Sequence, residues 1–140
     1  MKNFETSNFK RLIGTWRTEG TVLTDNSKII GTDSYEFILD GNCILHKADV
    51  KMGDEKSETF EIISIDNVSD KVKMQHYNSK GESGVMTNFF TGNNYKIEGD
   101  KIKFVGTIDN DNTKLTGKWY LQSESGKWTE FIDLKLTKQN

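Results

Sequence analysis

Three stretches, KIKFVGTID (residues 101–109), TKLTGKWYLQ (residues 113–122) and KWTEFIDLKLTK (residues 127–138), decide the fold. In the first, Ile102, Phe104, Gly106 and Ile108 share one parity while Lys101, Lys103, Thr107 and Asp109 take the other. In the second, Leu115, Gly117, Trp119 and Leu121 oppose Lys114, Thr116, Lys118, Tyr120 and Gln122. In the third, Trp128, Ile132, Leu134 and Leu136 oppose Thr129, Asp133, Lys135 and Thr137, with Phe131 the exception. A period of two sends alternate side chains to opposite faces of a strand, so each stretch reads as a strand with one buried face. Three amphipathic strands in succession need a shared core.

The same pattern continues toward the N-terminus. Ile44, His46, Ala48, Val50 and Met52 face away from Lys47, Asp49 and Lys51, and Val72, Met74 and His76 face away from Lys71, Lys73 and Gln75. Turn-forming residues cluster near Asn26, Asp40-Gly41, Gly53-Asp54, Asn67, Lys80-Gly81, Gly92-Asn93, Gly99-Asp100, Asp111 and Ser125-Gly126. Apart from the step between Gly92-Asn93 and Gly99-Asp100, they recur roughly every 12 to 14 residues. The intervening strands, about eight to ten residues each, exceed the usual mode of about five or six. Long strands in simple succession predict an up-and-down meander. Asp40-Gly41, between Phe37-Ile38-Leu39 and Cys43-Ile44-Leu45, fits a two-residue type I′ hairpin. The first dozen residues read as a short helix, with Phe4, Phe9, Leu12 and Ile13 on one side and Ser7 or Thr6 as its cap.

One short helix and about ten strands, each with one apolar face, predict an all-β fold: an up-and-down antiparallel β-barrel spanning residues 1–140 as one domain. Closure buries every apolar face and removes the exposed edges. A two-sheet sandwich is the rival architecture, but its strands usually turn more often.

Composition narrows the function. Lys and Arg total 19 against 21 Asp and Glu, a net charge of -2, so there is no basic footprint for a phosphate backbone and no nucleic-acid partner is expected. The longest apolar runs are too short to span a membrane, and Met1 to Thr6 leads into charged sequence where a signal peptide needs its apolar segment. The expectation is a soluble, cytoplasmic protein with no membrane span. The single cysteine, Cys43, forms neither an internal disulfide nor a cysteine metal cluster, and the two histidines lack ligand spacing, so no metal and no cofactor are expected.

The run Gly14-Thr15-Trp16, entering the first strand behind the helical lead-in, resembles the Gly-x-Trp signature of lipocalins and other calycins. Phe9 to Trp16, Leu45 to Val50, Leu115 to Trp119, Trp128 and Asp133 to Thr137 extend the likeness over nearly the whole chain. Together they make it similar to an uncharacterised bacterial lipocalin-like family, a domain of unknown function. The resemblance implies a barrel with an internal pocket for a small apolar molecule. It also implies that Trp16 closes the barrel base beneath a cation from near the C-terminus, a place that Lys135 or Lys138 would take.

His46, His76, Thr18, Ser64 and Glu130 fall on the apolar parity of their strands, and Tyr35 and Thr87 join them if their mixed segments share it. With Phe104 and Trp119 they are the candidate lumen residues. A few polar groups in an apolar lining orient a ligand. The same groups bonded to cross-strand partners or buried water would be structural. Three functional readings follow. The first is a barrel that binds a small apolar or amphipathic molecule. The second is an enzyme using His46 or His76 beside Glu130 or Tyr35, with no Gly-x-Ser-x-Gly elbow to suggest acyl transfer. The third is a filled barrel acting as an interaction protein, in which Phe90 and Phe131, off the apolar face, form a patch for a partner or for a second copy in a homo-oligomer.

Overall fold

The computed structural model describes residues 3–139, leaving Met1, Lys2 and Asn140 outside. Ten strands follow one another: β1 (Gly14–Val22), β2 (Ser27–Ile38), β3 (Cys43–Met52), β4 (Glu55–Ile65), β5 (Val72–Asn78), β6 (Ser83–Thr91), β7 (Asn94–Gly99), β8 (Ile102–Ile108), β9 (Lys114–Gln122) and β10 (Trp128–Gln139). Each pairs antiparallel with its sequence neighbours, and β1 closes on β10 from Thr15 opposite Gln139 to Val22 opposite Ile132. The expected all-β, closed antiparallel barrel is the fold. Its connections sit where turn residues cluster, several of them marked by a positive φ: Asn26, Gly53, Gly81, Gly92, Lys101, Asn112 and Gly126.

Three local expectations are corrected. The N-terminal segment is not one helix but two short 3-10 turns, Phe4–Thr6 and Asn8–Leu12. Ser7 separates them in an extended conformation, where its hydroxyl accepts from the Phe9 amide and so caps the second turn while breaking the first. The β2–β3 connection is also longer than a two-residue hairpin. Ile38 is the last residue paired, opposite Cys43, and Leu39, Asp40 and Gly41 all have positive φ. Asn3 docks against this loop, donating from Nδ2 to the Asp40 carbonyl at 2.9 Å, and a Cβ on Gly41 would stand 2.7 Å from Asn3 Oδ1. The third correction is in β10, whose register against β9 shifts between Glu130 and Ile132. This bulge inserts one residue and reverses the parity. Phe131 therefore lines the interior, while Trp128 lies outside under the Lys103 ammonium, 4.2 Å from its ring centre. Phe90 does not form an exposed patch with Phe131 either, because its ring packs 5.7 Å from Phe9 and 5.2 Å from Tyr95.

One end of the barrel is sealed. Phe4, Phe9 and Leu12 from the N-terminal turns pack onto Trp16, Ile44 and Met74. Trp16 is fully buried and its indole donates to the Leu12 carbonyl at 2.8 Å. Of the two lysines proposed to lie over it, Lys138 does so, with Nζ 4.9 Å from the ring centre and bonded to the Arg11 carbonyl at 3.3 Å. Arg11 in turn ties the seal to the loops after β6 and β8, donating to the Gly92 and Asp109 carbonyls. No helix among the described residues is long and apolar enough to cross a membrane.

Candidate functional site

The hairpins place side chains in rows around the wall. In the register, Tyr35 on β2 stands opposite His46 on β3, His46 opposite Glu61 on β4, Glu61 opposite His76 on β5, and His76 opposite Gly84 on β6. Directly opposed residues on one face are within reach of each other, and diagonal neighbours remain so for longer side chains. Asp33, two residues before Tyr35, reaches His46 diagonally, and Thr18 on β1 reaches Asp33 in the same way.

The result is a continuous polar chain inside the barrel. The Thr18 hydroxyl donates to Asp33 Oδ1. His46 donates from Nε2 to Asp33 Oδ2 at 2.6 Å and from Nδ1 to Glu61 Oε1. His76 donates from Nδ1 to Glu61 Oε2 at 2.7 Å. Thr18, Asp33, His46 and Glu61 are all buried. Because both His46 nitrogens face carboxylate oxygens, which only accept, the ring is held as imidazolium. Burial by itself favours the neutral ring, but the Glu61 charge and the hydrogen bonds to Asp33 and Glu61 outweigh it and push the His46 pKa up to about 10. The reciprocal effect acts on Glu61: burial opposes its charge, yet the two histidines hold its carboxyl well below the usual carboxylate range. Tyr35 stacks flat on His46, ring centres 4.1 Å apart and planes 1° from parallel. Burial, reinforced by Tyr95, Asp33 and Glu61, drives its phenol pKa far up, so the hydroxyl keeps its proton.

Above this chain lies a cavity of about 530 Å³. Trp119, Phe104, Phe131, Met86 and Ile97 belong to its walls, and it reaches the surface beside Glu82, Ser83, Gly84 and Asp100 at the end opposite the seal. Such a volume and such walls match sites that hold small organic molecules. The Phe104 ring is wedged over two glycines, since a Cβ on Gly106 or Gly117 would come within 2.6 Å of it, and this lets a flat aromatic wall form where side chains would otherwise meet.

Of the residues singled out in the sequence, Thr18, Tyr35, His46, His76, Phe104 and Trp119 line this cavity. Ser64, Thr87 and Glu130 do not. Ser64 and Thr87 sit on strands with apolar residues on both parities. In each case the barrel buries the other one, Glu61 with Ile63 on β4 and Asn88 on β6. Thr87 instead takes a 3.0 Å hydrogen bond from the Lys73 ammonium. Glu130 lies before the β10 bulge and points outward, paired with Lys118 at 3.0 Å.

Asp33 and Glu61, the carboxylates that organise the site, were missed for different reasons: Asp33, between Thr32 and Ser34, looks solvated, and Glu61, between Phe60 and Ile62, sits in a stretch with apolar residues on both parities. The signal was the turn positions. Folding the chain about Asp40-Gly41 sets Tyr35 against His46, and folding it about Gly53-Asp54 sets His46 against Glu61. Asn88 was missed too. Its Nδ2 donates to the Tyr95 hydroxyl at 2.8 Å, and its Oδ1 is buried without a partner.

Two chemical properties follow. His46 has no free lone pair, so it can serve neither as a metal ligand nor as a base. No trio of His, Cys, Asp and Glu side chains among the described residues is arranged to hold a metal ion. His76 keeps Nε2 free of protein hydrogen bonds, on a ring oriented by a carboxylate and only partly exposed, at 26% of its side-chain surface.

No protein-family model and no curated protein sequence matches the chain. Among solved structures it is similar to the crystal structure of Rv2717c from M. tuberculosis, with a TM-score of 0.67 over 94% of this chain and 95% of that one. Identity is 11%, so the likeness is one of fold, the ten-stranded antiparallel barrel.

Proposed function

We propose that this lipocalin-like barrel binds a small, mainly apolar or amphipathic molecule in its lumen. The observation that carries the reading is the cavity of about 530 Å³, apolar along its walls and ending in the Asp33–His46–Glu61–His76 chain. An apolar wall supplies affinity through desolvation, and one oriented polar group fixes a ligand's direction. The third reading, a filled barrel working only from outside, is disfavoured by a space of this size.

The test uses N-phenyl-1-naphthylamine, a neutral fluorescent probe. Its emission should rise on binding and should accept energy from Trp119, which lines the cavity, while Trp128 points outward and Trp16 is sealed at the far end. Trp119→Phe should lower that transfer by more than Trp128→Phe does, as the donor in the cavity wall is the nearest to the probe. Absence of any emission rise, together with no thermal stabilisation by saturating probe, would overturn the reading.

The enzyme alternative keeps one observation in its favour, the Glu61–His76 pair. His46 is excluded as its base by its two carboxylate bonds, so the alternative rests on His76 alone. It fails if His76→Gln leaves any turnover found for the purified protein unchanged.

A further inference from the structure

Resting on the lumen as a binding site, we propose that the ligand is a cationic amphiphile, an ammonium group on an apolar body, whose N–H donates to Nε2 of His76. Three observations converge on that headgroup.

The first is the charge of the lining. Asp33, Glu61, Glu82 and Asp100 supply carboxylates to the cavity and its mouth, against the two histidines, and no described Lys or Arg is among the lining residues. A carboxylate or phosphate ligand would enter a lumen with no fixed cation free to receive it, since the His46 charge is already enclosed by Asp33 and Glu61. The second is the charge of the buried chain itself. With His76 in its neutral form, two carboxylates and one imidazolium leave the chain one negative charge in excess, in a setting where an uncompensated charge is costly. A bound ammonium brings the group to neutrality. The third is the tautomer of His76. With Nδ1 donating to Glu61, Nε2 is the ring atom left without a protein partner, and in the neutral form its lone pair accepts most strongly from an ammonium.

The walls fit the rest of such a molecule. Trp119, Phe104 and Phe131 present aromatic surface to an apolar chain or ring, and they tolerate a nearby cation through their π faces. At the mouth, Glu82 and Asp100 are exposed and of the sign that draws cations inward. Gly84, directly opposite His76, carries no side chain, and a Cβ there would meet nothing within 4 Å, so the way to His76 is open.

The test is isothermal titration of the full chain with decylamine, decanol and decanoate at about pH 7, where the amine is protonated and the acid ionised. The apolar body is constant and only the head changes. Decylamine is expected to bind about tenfold or more tighter than decanol, with decanoate weakest, as a charge-assisted bond exceeds a neutral one. His76→Gln should bring the amine close to the alcohol without changing the alcohol much. Glu82→Gln combined with Asp100→Asn, two exposed positions that leave the core untouched, should weaken the amine selectively and flatten the salt dependence of its association rate. Equal affinities, or tighter binding of decanoate, overturn the headgroup assignment while the lumen stands as a binding site. If none of the three binds and N-phenyl-1-naphthylamine does not bind either, the binding reading itself fails.

Discussion

His46 shows how far a single side chain can be determined by its neighbours. Tyr35 lies against its face, Asp33 and Glu61 hold its two nitrogens, and His76 approaches from the far side of Glu61. Replacing it with Gln leaves two buried carboxylates without their shared cation, so His46→Gln should cost about 3–5 kcal/mol, read from the urea midpoint. His76→Gln, at a half-buried position that removes one bond, should cost only about 1 kcal/mol. The pH dependence follows with a definite sign. The folded His46 pKa is raised from 6.5 to about 10, so its contribution is complete below about 6.5 and fades as pH rises through 10. Glu61 is lowered from 4.5, so its contribution is complete above that value and lost in stronger acid. Stability should be greatest between these two unfolded values and decline toward alkaline pH. Urea midpoints for His46→Gln should lack most of that alkaline decline. An unaltered slope in the variant would mean that another group is responsible.

Among the elements, turns and bulges settled what alternation could not. Gly41 and Gly81 share a φ of +80°, but a Cβ on Gly41 would press on Asn3 whereas one on Gly81 meets nothing within 4 Å. Both Gly→Ala changes carry backbone strain of about 1 kcal/mol. Gly41→Ala should cost more, because it also dislodges the N-terminal turns, and paired thermal melts will separate the two. The fold was legible because β8 and β9, with Phe104 and Trp119 on strict alternation, admit one buried face. The β10 bulge was not, since Phe131 breaks parity and no local residue type announces where an extra residue is accommodated. Strands with apolar residues on both parities were ambiguous for a different reason. On β4, Ile62 and Ile63 compete, and only pairing with β3 decides that Glu61 turns inward and Ser64 does not. Within the polar chain, Thr18, His46 and His76 were visible as polar residues on an apolar parity, whereas Asp33 and Glu61 needed the register.

For the whole molecule, closure into a barrel with one sealed end leaves a single direction of approach. The N-terminal turns, Trp16 and Lys138 fill the base, and the lumen opens beside the β5–β6 connection. Gly84 stands at that opening, inward on its strand, exposed, and without a positive φ to forbid a side chain. An indole there has open space to occupy and suits a strand, so Gly84→Trp should fold normally while narrowing the route to His76. Its melting temperature should stay within about 3 °C of the parent, as for a surface substitution. Its rates of association with and dissociation from N-phenyl-1-naphthylamine should both fall by about tenfold or more, a barrier raised by about 1.4 kcal/mol, with the affinity retained. Equal slowing of association and dissociation would locate the effect at the mouth, because an obstruction there raises one barrier for entry and exit alike without weakening the contacts of a molecule already inside. Full affinity at the parent rate would mean that the probe enters between strands or sits on the outer face, and the mouth beside Gly84 would then not be the route to the lumen.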